Sequence, residues 1–313
     1  MEHWAAKKKK KKRKKKTEEE AENQFSRLPD DVVLNIFDKI PEIESLCRCF
    51  LVSKRFSCLI SRVQTVSVKR ILSKYGALVK LPKDSPPGLY ESGVGFLPVF
   101  TQIRSLNLEI VSHFHYFKGN NGSVFKWGAQ FTTKHHGVTL IYAETLSKMK
   151  EAEEENQNMI TWKRLIRRSL LGQECIYYAA FWLATLSHVV EQHPTLQSIR
   201  ITDPDNKGVK LCLCGEKLGE FRIALDLDKV LRPWMLENRR VGYVPVLQLP
   251  TSRYVMKGVT IVNCILYGDD DTEADSAMLD AFGEEQGVFL EAMVQILKNH
   301  KDVIKAFNFY DQN

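Results

Sequence analysis

Three amphipathic helices are predicted in succession between Phe25 and Val66. In each segment apolar residues recur three and four positions apart, which places them on one face of a helix. The three apolar sets are Val33, Ile36, Phe37 and Ile40; Ile43, Leu46, Cys47 and Phe50; and Val52, Phe56, Leu59, Ile60 and Val63. Asp30 can cap the first helix, and Pro41 ends it. A unit of roughly forty residues buries too little apolar surface to be securely stable alone, so we expect it to lean on a partner.

Leu28 and Pro29 come directly before the first of these helices. Pro is acceptable at a helix start, and a leading Leu can either pack back on the helix as a staple or project outward. Together, Leu28-Pro29, Ile36-Phe37 and Val52-Ser53-Lys54-Arg55-Phe56 resemble an F-box, the helical motif that docks on the Skp adaptor of SCF ubiquitin ligases. Phe56 stands where many F-boxes have Trp, which keeps an aromatic side chain but changes its size.

The resemblance implies a non-catalytic adaptor that holds Skp, and through Skp a cullin, while a second domain holds an unknown protein substrate. Catalysis would then be proximity to a ubiquitin-charged enzyme supplied by other subunits. The same resemblance assigns Skp binding to Leu28, Pro29, Val33, Ile36, Phe37, Val52, Lys54 and Phe56. The alternative is a nuclear or nucleic-acid-associated binding protein in which the helical motif packs only internally and the N-terminal tail acts.

The net positive charge of the chain is concentrated in that tail. The 313 residues carry a formal net charge of +7, and residues 7–16 supply ten positive charges. Removing those ten from +7 leaves −3 for the remainder. A folded domain that binds nucleic acid carries its own excess of Lys and Arg. We therefore expect no sequence-specific nucleic-acid binding by the folded part.

Residues 1–23 separate into a block of Lys followed by a block of Glu, and such runs of like charge favour disorder. The basic run is typical of a nuclear-localisation signal, which predicts a nuclear protein with the cytoplasm as a second compartment. Its residues are Lys7, Lys8, Lys9, Lys10, Lys11, Lys12, Arg13, Lys14, Lys15 and Lys16. Two other interpretations stay open: a solvated tail that aids solubility, and attraction to nucleic acid without sequence preference.

Cysteine usage and hydropathy favour a protein of a reducing compartment that does not enter the membrane. The chain has seven Cys and no secretory pattern at its N-terminus, so free thiols in the cytosol or nucleus are expected. The longest apolar stretch, residues 175–186, is shorter than a membrane span needs and continues into Ser187 and His188. It predicts a buried helix.

The remaining pattern predicts an α+β fold: the N-terminal three-helix unit (25–66), a connecting segment (67–95), and a mixed α+β domain (96–313) with a long buried helix. Alternating or continuous apolar runs predict strands at 103–110, 124–131, 138–143, 196–201, 209–214, 241–249 and 259–267. Helical spacing predicts helices at 159–193, 278–282 and 288–297.

Several finer features of this domain can be predicted from the same pattern. Strands 124–131 and 138–143 form a hairpin, and so do 196–201 and 209–214. Pro245 argues that its strand lies at a sheet edge, whereas the apolar run 259–267 suits an interior strand. Segments 103–108 and 196–201 are similar to each other, but their interval is too irregular for a regular solenoid.

A second resemblance extends from Phe25 to the C-terminus. Lys126-Trp127, the segment 198–203, Val244-Pro245 and Asp280-Ala281-Phe282 look like the plant auxin up-regulated F-box proteins and their close relatives. These later motifs are less specific than the F-box motif, and the Lys-rich tail departs from the family pattern. The resemblance implies a plant origin.

No constellation of residues indicates catalysis, a cofactor or a metal. Cys212 and Cys214 lack a second ligand pair at zinc-site spacing and are interpreted as core residues, and the pairs His113 with His115 and His135 with His136 as surface residues. Gly-rich nucleotide loops and nucleophile elbows are missing from the sequence. The basic residues Lys163, Arg164, Arg167 and Arg168 form either a solvated face that pairs with residues 153–155 or a docking surface for an acidic substrate.

Overall fold

The computed structural model describes residues 24–72, 94–112, 114, 122–131, 136–149, 160–224, 239–267, 271–285 and 287–307. The predictions for the tail 1–23, for most of the connecting segment, for acidic residues 153–155, and for His113, His115 and His135 lie outside these residues. The described residues form an N-terminal group of helices, two β-sheets and a long helix that packs in the same hydrophobic core as both sheets.

Most of the predicted helices begin and end close to the predicted positions, but the one predicted at 278–282 is observed at Asp271–Asp280. The helices are α1 (Asp30–Phe37), α2 (Ile43–Phe50), α3 (Lys54–Ile60), α4 (Trp162–Gln192), α5 (Glu216–Ala224), α6 (Asp271–Asp280) and α7 (Val288–Asn299). Short 3-10 helices lie at Gln24–Arg27, Val94–Val99 and Lys301–Val303. The fold class predicted from the sequence, α+β with a long buried helix, is confirmed. Helix α5 was missed.

The strands form two sheets of different character. They are β1 (Thr65–Leu72), β2 (Ser105–Val111), β3 (Val124–Phe131), β4 (His136–Ala143), β5 (Thr145–Lys148), β6 (Ser198–Thr202), β7 (Leu211–Cys214), β8 (Arg239–Leu249), β9 (Tyr254–Tyr267) and β10 (Lys305–Ala306). The four-stranded sheet has the order β1-β2-β6-β7, and the six-stranded sheet has the order β10-β8-β9-β4-β3 with β5 paired to β9. Part of the predicted connecting segment is therefore strand β1.

Three similar segments, here called rungs, lie side by side in the four-stranded sheet. Rung 1 is 63–68, rung 2 is 103–108 and rung 3 is 196–201. Each has a buried apolar residue, two polar residues, and then two apolar residues separated by a polar one. Strands β1, β2 and β6 pair in parallel, with Val66 beside Leu106 and Leu106 beside Ile199.

The backbone hydrogen bonds between the rungs repeat as well. The N–H groups of Arg104 and Ser105 donate to the Gln64 carbonyl at 2.8 and 3.0 Å, and those of Gln197 and Ser198 donate to the Arg104 carbonyl at the same two distances. The similarity of 103–108 and 196–201 noted in the sequence therefore reflects adjacent positions in one sheet. The irregular interval arises because β3, β4, β5 and α4 lie between rungs 2 and 3 in the chain.

The six-stranded sheet is covered on both faces. Leu140 and Val262 belong to the core cluster that contains α4, whereas their neighbours Ile141 and Ile261 belong to a second cluster with α6 and α7. Side chains of successive strand residues point to opposite faces, so a strand covered on both faces is apolar throughout. This explains the continuous apolar run of β9, which lies between β8 and β4 as predicted.

Strand β8 lies one position from the sheet edge. The two-residue strand β10 pairs with Arg240 and Val241 only, so the part of β8 that holds Pro245 has no strand on its outer side among the residues described. Pro245 donates no backbone hydrogen bond, and it lies between the pairs Val244–Val259 and Val246–Lys257, at the level of Gly258, whose φ is +61°. The prediction of an edge position is correct for this part of the strand.

The two sheets meet at Trp127 of β3. Its N–H donates to the Lys207 carbonyl at 2.9 Å, and its carbonyl accepts from the Val209 N–H at 2.7 Å. The Trp127 ring packs against the Trp182 ring of α4 with centroids 4.8 Å apart. Since residues 207–209 connect β6 to β7, these contacts join the edge of the six-stranded sheet to the loop of the four-stranded one.

Candidate functional site

The residues predicted to bind Skp divide into buried and accessible groups. Val33 and Phe37 are 0% and 2% exposed, so they hold α1 against the core and present no side-chain surface to a partner. Phe56 is partly buried, and its ring packs edge-on against Phe37 and Phe25 at centroid distances of 5.1 and 6.1 Å. The assignment of Val33 and Phe37 to Skp binding stays a prediction, in which the two buried side chains act by holding α1 in place.

The accessible group lies just before α1, near the end of α1, and from the α2–α3 connection to the first residue of α3. Pro29 and Lys54 are exposed, Val52 is 62% exposed, and Leu28 and Ile36 are partly buried. Val52 was placed on the buried stripe of the third helix, but α3 begins at Lys54 with Ser53 as its N-cap, so Val52 lies before the helix. The Ser53 side chain accepts a hydrogen bond from the Phe56 N–H at 3.1 Å.

Three further apolar residues of this region are exposed and were missed in the sequence. They are Phe25 (42%), Val32 (42%) and Leu51 (78%). We call the set Phe25, Pro29, Val32, Leu51 and Val52 the N-terminal apolar face. Val32 and Leu51 do not belong to the three apolar stripes predicted from the sequence. An apolar residue outside such a stripe can indicate a second apolar surface, and this was the signal in the sequence. Concentrated exposure of this kind is typical of a protein-docking surface.

Arg55 brings the two halves of this face together. Its guanidinium donates to the Asp30 carboxylate at 2.8 and 2.7 Å, to the Phe25 carbonyl at 2.9 Å and to the Leu28 carbonyl. The prediction that Asp30 caps α1 is wrong, because the N-cap is Pro29 and no side chain caps this helix. The planar, multidentate donor group of Arg suits this role, since it ties the start of α3 to the start of α1.

The helical unit is continuous with the four-stranded sheet. The Gln64 N–H donates to the Asp38 carboxylate at 2.9 Å, and the Ser67 N–H donates to the Pro41 carbonyl. Lys69 of β1 pairs with Glu42, and its hydrogen bond and charge lower the pKa of that carboxyl. Apolar residues of α1, α2 and α3 belong to the same core cluster as the rungs and α4. The unit thus leans on the rest of its own chain.

The predicted basic patch on the long helix is not one surface. Arg168 is buried and pairs with Glu144, donates to the Gly258 carbonyl at 2.9 Å and Thr260 Oγ1 at 2.7 Å, and stacks 4.4 Å above the Tyr142 ring. Arg164 is exposed and reaches the same Glu144 at 3.4 Å. The interpretation of Arg168 as part of a solvated or docking surface is wrong, because its charge is used inside the fold.

The cysteine predictions are partly corrected. Cys214 is exposed and Cys212 is half-buried, so the interpretation of this pair as core residues is wrong. Burial and the nearby Glu44 raise the pKa of the Cys47 thiol to about 11, which keeps it protonated at neutral pH.

Across the described ranges no group of three or more His, Cys, Asp or Glu could hold a metal ion. None of the helices described is both long and apolar enough to span a membrane.

Comparison with known proteins agrees with the position of this site. Residues 25–65 match the F-box-like family. Along most of its length the chain is similar to F-box proteins of Arabidopsis thaliana: 24% identical to F-box protein At4g18380, over 87% of this chain and 91% of that protein, and 24% identical to F-box protein AUF2, over 91% of this chain and 99% of that protein. No solved structure matches. The resemblance to plant F-box proteins that the sequence indicates is confirmed.

Proposed function

We propose that the chain is a substrate-recognition adaptor of an SCF ubiquitin ligase. Its F-box-like helices hold Skp, and through Skp a cullin, while the remainder of the protein holds a protein substrate for ubiquitination. The chain itself performs no chemistry in this role: it raises the local concentration of the substrate beside a ubiquitin-charged enzyme. Matched residues 25–65 support the proposal, because the exposed apolar side chains of the N-terminal apolar face all lie within them.

The exposed fraction of each apolar side chain determines how much apolar surface this face can bury against a partner. Leu51 and Val52 are 78% and 62% exposed, so each can transfer most of its apolar surface from water to a partner. Few residues usually dominate an interface, and they tend to be apolar or aromatic side chains that become desolvated. Lys54, which follows directly, places a charge at the rim of the same surface, where it contributes more to orientation than to affinity.

The proposal is tested by Skp capture. Replacing Leu28→Ala and Pro29→Ala together should weaken binding of purified Skp by about 2 kcal/mol, which is about thirtyfold in Kd. Leu28 also packs against the core, so a second variant, Leu51→Asp with Val52→Asp, removes only exposed apolar surface and should weaken Skp binding with folding intact. Calorimetry or surface plasmon resonance gives the affinities, and circular dichroism checks the fold.

A matched control is available elsewhere in the chain. Ile223 is 82% exposed on α5, outside the matched residues, so Ile223→Asp introduces a negative charge at an exposed apolar site and should leave Skp binding unchanged. Skp binding that survives both N-terminal variants, or that falls equally in Ile223→Asp, would refute the assignment of the docking face.

We propose further that the basic run 7–16 directs the protein to the nucleus. Import receptors recognise short basic runs in accessible segments, and this run carries ten positive charges in a row. The remainder of the chain is net negative, so a positive charge excess is confined to this run. Targeting and Skp binding therefore rest on separate residues.

A further inference from the structure

A cleft of about 270 Å³ opens where the two sheets separate from each other beyond Trp127. Its walls are the end of β3 on one side and residues 209–213 on the other. Helix α5 contributes Lys217 and Glu220, and the turn after α6 contributes Asp280, Gly283 and Glu284. None of the residues of the N-terminal apolar face lines this cleft.

Both walls of the cleft include the edge of a strand, β3 on one side and β7 from Leu211 onward on the other. Three consecutive residues of β3, Ala129–Phe131, and five consecutive residues, 209–213, line it. Successive strand side chains point to opposite faces, so a cleft that touches every residue of a run must meet the edge of the strand rather than one face. Strand β3 pairs with β4 on its other side, and β7 pairs with β6 on its other side.

The β3 edge presents backbone groups to the cleft. Trp127 directs its N–H and C=O away from β4, toward Lys207 and Val209. In an antiparallel ladder this orientation repeats every second residue, so Ala129 directs its N–H and C=O the same way. The described part of the chain supplies no backbone partner for them, since residues 211–213 belong to β7 and pair with β6. An open strand edge is the site to which an extended peptide adds.

Gln130, which lines the cleft, has a buried hydrogen-bond acceptor. The Gln130 side chain is 9% exposed and its Nε2 donates to the Asp280 carboxylate at 3.1 Å, which fixes the orientation of the amide. Its Oε1 is buried and has no hydrogen-bond partner within the described structure. Buried carbonyl oxygens are nearly always paired, so this acceptor suits a ligand that brings an N–H group.

The charges around Gln130 specify what kind of donor fits. The lining holds the carboxylates of Asp280, Glu220 and Glu284, and Lys217 lies 3.8 Å from Glu284 at the exposed rim. The Asp280 carboxylate is exposed beside the buried Gln130 amide. A carboxylate and a carbonyl oxygen placed next to each other match two N–H groups of one guanidinium, whose donors lie in a fixed fork.

We propose that this cleft binds an extended peptide of the protein to be ubiquitinated, whose backbone adds to the β3 edge and whose arginine side chain donates to Gln130 Oε1 and the Asp280 carboxylate. The inference rests on the proposed adaptor function for the identity of the partner. The cleft itself, its open edge and its acceptor pair do not depend on Skp binding.

The test uses the purified full-length chain and immobilised random decapeptide pools that differ only in a fixed central residue: Arg, Lys or Gln. The Arg pool should bind at least tenfold more than the Gln pool, with Lys between them. Asp280→Asn removes the charge at an exposed position and should lower binding of the Arg pool about tenfold. The matched control is Asp275→Asn on the same helix α6, whose carboxylate pairs with Lys301 outside the cleft and which should bind as the unaltered chain does.

Backbone addition has its own test with a peptide selected from the Arg pool. N-methylation of alternate amides should abolish binding in one register and leave it intact in the other, because only every second residue of an added strand bonds to the β3 edge. Equal binding of the three pools, or an effect of Asp275→Asn equal to that of Asp280→Asn, would overturn the proposal. Binding that appears only after residues 7–16 are replaced by Gly and Ser would assign the cleft to the chain's own basic run and overturn it too.

Skp binding is measured on the same variants so that the two proposals can fail separately. Asp280→Asn should leave Skp affinity unchanged, because the cleft lies outside the matched residues 25–65. A chain that selects the Arg pool but does not bind Skp would refute the adaptor function while leaving the cleft as a peptide site. A chain that binds Skp but shows no Arg preference would refute the cleft alone.

Discussion

The buried charge of Lys126 is neutralised by residues far away in the chain. Lys126 is 3% exposed, lies 3.0 Å from the Glu285 carboxylate and donates to the carbonyl and side-chain oxygens of Asn206 at 3.1 and 2.8 Å. Removing one partner of such a group leaves an uncompensated charge, which costs several times more than an exposed ion pair contributes. Lys126 therefore joins three segments at the junction of the two sheets.

Helical spacing could not assign Arg168 its partners. The pattern of α4 puts Arg164 and Arg168 on one row, and both reach Glu144 between β4 and β5, but only Arg168 is buried and also donates to Gly258 and Thr260 of β9. Periodicity indicates which residues share a face and contains no information on what that face meets. The same limit applies to Val33 and Phe37, which the motif groups with exposed residues although they are buried.

A close backbone approach at Gly128 gives a stability prediction. A Cβ atom on Gly128 would lie 2.0 Å from the Ala281 carbonyl oxygen, so Gly128→Ala must move backbone and should destabilise the protein by about 2 kcal/mol or more. The control is Gly219→Ala on α5, where nothing lies within 4 Å and the change should stabilise by up to about 1 kcal/mol. Urea denaturation measures both, and equal effects would contradict the close contact.

A second residue, His193, gives a pH dependence. It is 3% exposed at the end of α4, and burial together with the nearby His188 lowers its pKa below 6.5, against the opposing effect of its hydrogen bond with the Phe100 backbone. The unfolded chain therefore binds the proton first. Above pH 6.5 the protonation of His193 does not reduce the free energy of unfolding. The free energy of unfolding falls as the pH drops through 6.5 toward the lowered pKa of His193 in the folded state.

His193→Gln should reduce this loss of stability on acidification without removing it, because burial lowers the pKa of His188 as well. Urea midpoints measured at about pH 7.5 and about pH 5.5 give the difference. If the midpoints of the variant and the unaltered protein fall by the same amount, the burial of His193 is not a source of the acid sensitivity.

At the scale of elements, periodicity predicts those helices and strands that have one buried face or a long apolar run. Helices α1, α2 and α4 and the hairpin of β3 and β4 belong to this class. Helix α5 has no amphipathic pattern, since Leu218 and Phe221 are buried while Ile223 is exposed, and it was missed. Strand β1 alternates only weakly, and its place in the sheet comes from pairing with β2.

Helix α7 should be essential for the core on the outer side of the six-stranded sheet. Ala292, Met293 and Ile296 are fully buried in the cluster that also contains residues of β8 and β9. Its packing against the core is as the sequence predicts. Truncation before Val288 removes these side chains, a loss on the order of 5 kcal/mol, and should give an aggregating or protease-sensitive product.

Skp binding by this truncated protein should persist. Helices α1–α3 belong to the other core cluster, with the rungs and α4. Limited proteolysis and Skp capture on the same preparation separate the two properties. A truncate that is soluble and as resistant as the full chain would show that α7 is peripheral, whereas loss of Skp binding would show that the clusters are coupled.

At the scale of the whole molecule, charge is divided between the basic run and the rest of the chain. Replacing residues 7–16 with a Gly/Ser segment of equal length should abolish nuclear enrichment, because it removes ten positive charges that the −3 remainder cannot replace. Skp affinity should not change. Microscopy of a fluorescent fusion and Skp capture measure the two effects.

The outcome also decides between the roles of the tail. An unaltered nuclear signal would refute the targeting role. A salt-sensitive loss of RNA or DNA association with unchanged localisation would instead favour electrostatic nucleic-acid binding, since such binding weakens steeply as salt rises.

The pairing of rung 3 with rung 2 has a consequence for synthesis of the chain on the ribosome. Ser105 and Ser198 are 93 residues apart, yet their side chains hydrogen bond at 3.1 Å in adjacent strands. At a translation rate of about 5 to 20 residues per second, rung 3 emerges on the order of ten seconds after rung 2. Until then the core that α1–α3 share with the four-stranded sheet is incomplete, and the edge of rung 2 is unpaired. Chaperones recognise incompletely folded chains of this kind. The shared core is therefore completed only at a late step of translation, long after helices α1–α3 have been made.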